Sequence, residues 1–158
     1  MKLAIIGAGE VGLTYAHPWA AAGHEILLCD LKPSSRAQAF AKEHDVALVT
    51  SMEDGVAECD VVVSCVFGTV SLPVAEQALA LMRRGALFID MTTADPEQIR
   101  RAAAIAAERS IPYVDVAILG AIALTHAKTN LLGAGIGLER AVVLFAEAGA
   151  PLKPVEGG

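Results

Sequence analysis

Short, nearly continuous apolar runs alternate along this chain with longer stretches in which apolar residues recur every three or four positions. The run at 2–6 (KLAII) reads as a strand, and the glycines of 7–12 break it into a turn. A helix is expected over 10–22, closed by Gly23. Pro18 falls inside it and, lacking an N–H, predicts a bend. A second strand is expected at 25–30. Pro33 and Ser34 then open a helix to about Glu43, with Ser34 as its N-cap. A weaker third strand is expected at 45–49 and a short helix at 52–58. The strongest strand is 60–66, built on VVVSCV. The pattern next predicts a helix over 70–82, with Pro73 tolerated near its first turn, and a fifth strand at 86–90. Asp95-Pro96-Glu97 supplies a cap, a proline at the first helical position and a first-turn acid, for a helix to about Arg109. A sixth strand is expected at 112–116. Beyond it the pattern loosens into a strand at 130–133, a helix at 138–148 and a short strand at 152–155.

Strand and helix repeating in this order, with crossovers long enough for parallel pairing, predict an α/β fold with a doubly wound, mainly parallel sheet of the Rossmann type. The 158 residues suit one domain, 1–158, with a substantial core. Apolar residues make up 54% and aromatics only 4%, as expected for buried strands under alanine-rich helices. The net charge of −6 comes without a basic stripe, so no nucleic acid partner is expected. Cys29, Cys59 and Cys65 are odd in number and lack C-x-x-C spacing, which argues against disulfides and zinc and for small core side chains. Glycines break the N-terminal apolar run too early for a signal peptide, and no run reaches the roughly 18 residues of a membrane span. The expected compartment is the cytoplasm, with no membrane partner.

One motif carries chemistry. Gly7-Ala8-Gly9-Glu10-Val11-Gly12 is G-x-G-x-x-G, placed directly after the first strand and opening the first helix. In that context the pattern is a dinucleotide fingerprint. Gly7 permits the tight turn, Gly9 lets a pyrophosphate approach the backbone, and Gly12 lets the helix pack against the sheet. The helix N-terminus offers free N–H groups and partial positive charge to the phosphates. Asp30 closes the second strand 18 residues after Gly12, where an acid that binds the adenosine ribose is expected. Its charge disfavours a 2′-phosphate, and Leu31 stands where arginine would serve NADP, so NAD is expected. Lys32, Ser34 and Arg36 leave NADP possible. Cys65, Val66 and Phe67, at the carboxyl end of the fourth strand, are candidates to line the adenine and ribose crevice, and loop packing is the alternative. Thr92, leaving the fifth strand, is placed near the nicotinamide or in a capping role.

With these residues in place, the chain resembles the cofactor half of the 3-hydroxyisobutyrate and 6-phosphogluconate dehydrogenase superfamily, the β-hydroxyacid dehydrogenases. The resemblance rests on IIGAGEVG, Gly23-His24 before the second strand, VVVSCVFG, DMTTADP and YVDVAILGA, in that order, over essentially the whole chain. It implies an NAD(P)-dependent oxidoreductase of two domains, the second helical and absent here. It also implies a small-molecule substrate, either a hydroxy acid or a related carbonyl or imine compound, and a homodimer. Against the family's D-x-P-V-S-G-G pattern, Asp115 to Ala121 place Leu119 at the substrate-binding serine and Ala121 at the second glycine. His126, Lys128 and Thr129 are candidate substrate contacts or a solvated loop. No residue matches the family's catalytic lysine, so no catalytic residue is assigned; this predicts a fragment or truncated product that binds cofactor with little turnover. A non-catalytic dinucleotide-binding or sensing module is the alternative, and a site for another nucleotide such as FAD is a third.

Overall fold

A computed structural model describes residues 1–155. The strands are β1 (Lys2–Ile6), β2 (Glu25–Cys29), β3 (Ala47–Val49), β4 (Val61–Ser64), β5 (Leu87–Asp90), β6 (Tyr113–Leu119), β7 (Asn130–Gly135) and β8 (Leu152–Pro154). The helices are α1 (Glu10–Ala21), α2 (Ser35–His44), α3 (Ser71–Leu81), α4 (Pro96–Glu108), α5 (Ile122–Thr125) and α6 (Leu138–Glu147). One sheet runs β3-β2-β1-β4-β5-β6-β7-β8. Every neighbouring pair is parallel except β6 and β7. The order reverses between β1 and β4, the switch point of a doubly wound sheet, where ligands sit beyond the carboxyl ends. Register brings Cys29, Ile6, Ser64, Asp90 and Asp115 into one row across the sheet.

The apolar runs are continuous because both faces of the sheet are buried. Leu3, Ile5, Leu28, Val63 and Ile89 point to one face, packed by α1, α2 and α6. Ala4, Ile6, Val62 and Phe88 point to the other, under α3 and α4. Trp19 is fully buried and its Nε1 donates to the Leu144 carbonyl at 2.8 Å, tying α1 to α6. Tyr15 meets Phe145 edge-on beside it, with ring centroids 5.3 Å apart.

The expected helix starts at Ser34 and Asp95 are present as side-chain caps, accepting from Ala37 N–H at 3.1 Å and Glu97 N–H at 2.8 Å. Several boundaries differ from the pattern. The region 52–58 is two 3₁₀ turns split at Gly55, whose φ of +157° ends the first. A 3₁₀ turn at Gly68–Val70 precedes α3. Asp45 is left-handed and closes α2 instead of starting β3. The loosely patterned region holds the largest departure. β6 runs on to Leu119 and pairs antiparallel with β7, which itself extends to Gly135. Between them lie α5 and a 3₁₀ turn at His126–Lys128. That segment has no apolar period. It is held instead by the Thr129 hydroxyl, which donates to the His126 carbonyl at 2.8 Å and also bonds the Thr125 hydroxyl.

Candidate dinucleotide site

The glycine turn is wedged between two strands. Gly7 has φ +94°, and its N–H donates to the Cys29 carbonyl of β2 at 2.8 Å. A Cβ on Gly7 would stand 2.8 Å from the Cys65 carbonyl beyond β4. A Cβ on Gly12 would strike the Gly7 carbonyl and come within 3.1 Å of Ile5 Cγ2, so α1 can press onto the turn only with glycine there. Gly9 is different. It is the N-cap of α1, with no side-chain cap, and nothing lies within 4 Å of where its Cβ would be. The turn is packed tightly from below and open at its middle glycine. First-turn N–H groups of an uncapped helix end in that opening.

Asp30 is built into the same corner. One carboxylate oxygen accepts the Ala8 N–H at 2.9 Å and the other accepts the Lys32 N–H at 3.0 Å. These bonds fix the carboxylate against the glycine turn, and each oxygen keeps a lone pair for a further donor. Leu31 beside it is 80% exposed, and Phe67 across the switch point is 85% exposed. Val66 is half-buried between them. Cys65 offers the site its backbone: its N–H donates to the Ile6 carbonyl at 2.7 Å, its carbonyl abuts Gly7, and its side chain packs into the core. Burial pushes the Cys65 thiol up to about 12, and those of Cys29 and Cys59 up to about 11, so none is a thiolate near neutral pH. Glu10 and Val11 lie on the first turn of α1, Glu10 exposed and Val11 half-buried. The structure thus brings Gly7 to Gly12, Asp30, Leu31, Cys65, Val66 and Phe67 to one edge.

Thr92 turns inward. Its hydroxyl donates to Asp90 at 2.5 Å and lies 2.8 Å from the Ser71 hydroxyl, with the residue only 6% exposed. Asp90 also accepts the Thr92 N–H at 2.9 Å and the Tyr113 hydroxyl at 2.8 Å. Burial, with the adjacent Asp90 charge, drives the Tyr113 phenol far above its usual value. Asp115, next along the row, has its carboxyl pushed up to about 6 by burial first and by Asp90 second. The pattern analysis missed this buried cluster. Its signal was available: the apolar runs of β4 and β5 end in Ser64 and Asp90, and Asp115 follows the start of β6 at the same level. Of the candidate substrate contacts, His126 and Lys128 are exposed and Thr129 is consumed in holding its own turn. A groove of about 580 Å³ lies between α1, α2 and His126, and no residue of the glycine turn lines it. Among the described residues no His, Cys, Asp and Glu group is placed to hold a metal, and no helix is long and apolar enough to cross a membrane.

The sequence profile of the NAD-binding domain of 6-phosphogluconate dehydrogenase matches residues 2–149. The chain belongs to that family. A probable 3-hydroxyisobutyrate dehydrogenase of Mycobacterium bovis is 30% identical over 121 residues, which are 76% of this chain and 40% of that protein. The solved 3-hydroxyisobutyrate dehydrogenase of Mycobacterium tuberculosis, determined with L-serine, superimposes with a TM-score of 0.82 at 26% identity. It covers 97% of this chain and 53% of its own. A conserved hypothetical protein of Sinorhizobium meliloti superimposes with a TM-score of 0.85 at 25% identity, over 98% of this chain and 54% of that one. The chain therefore spans 40% of the curated relative and about half of these solved chains. The fold expected from the pattern and the family expected from the motifs are both found, and the chain is an NAD(P)-binding domain of this dehydrogenase family.

Proposed function

We propose that the chain binds NAD in preference to NADP, as the cofactor half of an oxidoreductase that acts on a small hydroxy acid or a related carbonyl or imine compound. The single observation that carries the reading is the docking of Asp30 onto the Ala8 amide, beside a helix start whose first-turn amides are uncapped. The residues fit the cofactor: the open space at Gly9 admits a diphosphate, and the Asp30 oxygens remain free to accept two ribose hydroxyls. The amides of Gly9 to Gly12 would hold the diphosphate, with Leu31, Val66 and Phe67 flanking the adenosine. When bound, the cofactor supplies hydride transfer; the chain's own residues bind it and orient it. Thr92 acts by fixing the loop after β5 through Asp90, and Thr93 is the exposed hydroxyl of that loop.

The preference for NAD has a physical basis. Two backbone amides hold the Asp30 carboxylate, so it cannot swing away from a 2′-phosphate. Two unit charges about 4 Å apart repel by roughly 1 kcal/mol in water and about 4 kcal/mol near a protein surface. That predicts at least about fivefold discrimination. NADH and NADPH fluorescence titrations of the wild type and of Asp30→Ala test it. The wild type should favour NADH, and the substitution should weaken NADH far more than NADPH. Equal loss of both would defeat the role given to Asp30. Turnover is expected to be slight, because no residue of the chain stands in for the family's lysine. Rapid growth of NADH absorbance with candidate 3-hydroxy acids would contradict this. At the substrate end, Leu119 offers no hydrogen bond where a serine is implied, which favours a carbonyl or imine compound over a hydroxy acid. A sensing module would show the same binding and no turnover when combined with any helical partner domain.

A further inference from the structure

Asp90 ends β5 as the only fully buried acid among the described residues, at 1% exposure. Its two oxygens divide their partners. One accepts the Thr92 N–H at 2.9 Å and the Thr92 hydroxyl at 2.5 Å. The other accepts the Tyr113 hydroxyl at 2.8 Å. The Thr92 hydroxyl hydrogen is spent on Asp90, so the Ser71 hydroxyl, 2.8 Å away, is the donor to Thr92. Ser71 opens α3 and Tyr113 opens β6. One carboxylate thus ties the loop after β5 to the helix that follows β4 and to the next strand.

The backbone makes the same connection a second time. The Met91 N–H donates to the Ser64 carbonyl at 2.9 Å. A Cβ on Gly68 would run into the Thr93 carbonyl, so the 3₁₀ turn at Gly68–Val70 lies directly against the loop after β5. Segments 68–71 and 91–94 are therefore held as one piece at the carboxyl edge, with Thr69, Val70 and Thr93 on its exposed side. A dinucleotide spans the switch point of such a sheet, one nucleotide on each side. Asp30 and the glycine turn take the β2 side, which leaves the β4–β5 side for the nicotinamide nucleoside. An apolar residue at position 90 would extend the core beyond Phe88 without desolvating a carboxylate. What the carboxylate adds is direction, because its fixed donors set where the loop lies.

We propose, on the cofactor reading above, that Asp90 is a positioning residue. Acting through Thr92 and Ser71, it joins the segments after β4 and β5 into one rigid rest for the nicotinamide nucleoside, and it makes no contact with the cofactor itself.

Calorimetric titrations of the whole chain with NADH and with ADP separate the two halves of the site. ADP reports the glycine turn and Asp30, and NADH reports these together with the nicotinamide side. The wild type should bind NADH more tightly than ADP. Thr92→Val keeps the side-chain shape and removes the hydroxyl that joins Asp90 to Ser71. It should weaken NADH about five- to tenfold and leave ADP within about twofold, a split that a loss of stability alone does not produce. Thr92→Ser keeps the hydroxyl and should restore NADH binding. Tyr113→Phe, whose ring stays stacked on Phe88, should show the same split, and it decides the matter if circular dichroism finds Thr92→Val unfolded. Ser64→Ala is the control: Ser64 lies opposite Asp90 at the same depth, and its hydroxyl bonds to none of the described residues. Both its affinities should match wild type. Folded variants that lose NADH and ADP equally, or lose neither, overturn the proposal, as do a Thr92→Ser variant no better than Thr92→Val, a Ser64→Ala variant with the same split, or a wild type that binds both ligands equally. A wild type that binds neither ligand overturns the cofactor reading as well.

Discussion

Gly9 and Gly12 sit three residues apart in one motif, yet the structure predicts that substituting them fails in opposite ways. At Gly9 an added methyl meets nothing within 4 Å, and the backbone, at φ −90° and ψ −158°, suits alanine. Restricting the unfolded chain favours Gly9→Ala by up to about 1 kcal/mol, and losing a good N-cap residue costs a similar amount. Its stability should therefore stay within about 1 kcal/mol of wild type. That same methyl fills the space through which a diphosphate approaches the first-turn amides. Forcing an extra carbon into a close-packed contact costs about 1–3 kcal/mol, or roughly ten- to hundredfold in affinity. At Gly12 the methyl runs into the Gly7 carbonyl, in a turn already tied to β2 through the Gly7 N–H and packed against the Cys65 backbone. Gly12→Ala should lose about 1–3 kcal/mol of stability and lose binding because the turn itself is displaced. Urea unfolding and NADH fluorescence titration on both variants separate the two effects. Unchanged NADH affinity in Gly9→Ala, or destabilisation equal to that of Gly12→Ala, would refute the reasoning.

Two further outcomes follow from the buried row of polar residues. Tyr113→Phe deletes a donor from the Asp90 carboxylate, and should lower stability by about 1.5–3 kcal/mol, seen as a lower urea midpoint at unchanged slope. Asp115, with its carboxyl raised to about 6, binds its proton more readily in the folded chain than in the unfolded one. Its contribution therefore falls as pH rises between about 4 and 6. Asp115→Asn should be more stable than wild type by about 1 kcal/mol at pH 7, after allowing for solvent screening. It should lose that advantage at pH 4, and a variant no more stable than wild type at pH 7 would contradict the assignment.

The glycine turn and Asp30 were legible in the sequence because their requirements are local. A glycine is demanded by a positive φ or by a neighbouring backbone atom, and an acid at the end of the second strand is a fixed distance along the chain. β1, β2, β4 and β5 were legible because burial on both faces makes their apolar runs continuous, whereas β3, at the sheet edge, is only partly buried. β7 was only half legible. One of its faces carries Asn130, Leu132 and Ala134 and the other Leu131 and Gly133, so neither an apolar run nor a clean alternation marks its length or its antiparallel sense. Thr92 reads as a site residue because it leaves a strand at the right edge. Only the fold brings Ser71 and Tyr113 to Asp90, from 19 and 23 residues away, and turns that hydroxyl inward.

The exposed apolar side chains at the carboxyl edge bear differently on cofactor binding and on hydride transfer. At the carboxyl edge, Leu31, Phe67 and Leu124 are each at least 80% exposed. Hydride transfer gains from excluding water, because every electrostatic interaction at the reacting atoms is stronger in a dry site. Gripping a diphosphate makes no such demand, since amides on a rigid turn are already aimed at it. Binding thus rests on the rigid turn itself, whereas hydride transfer is the step that exposure of these side chains to water would slow.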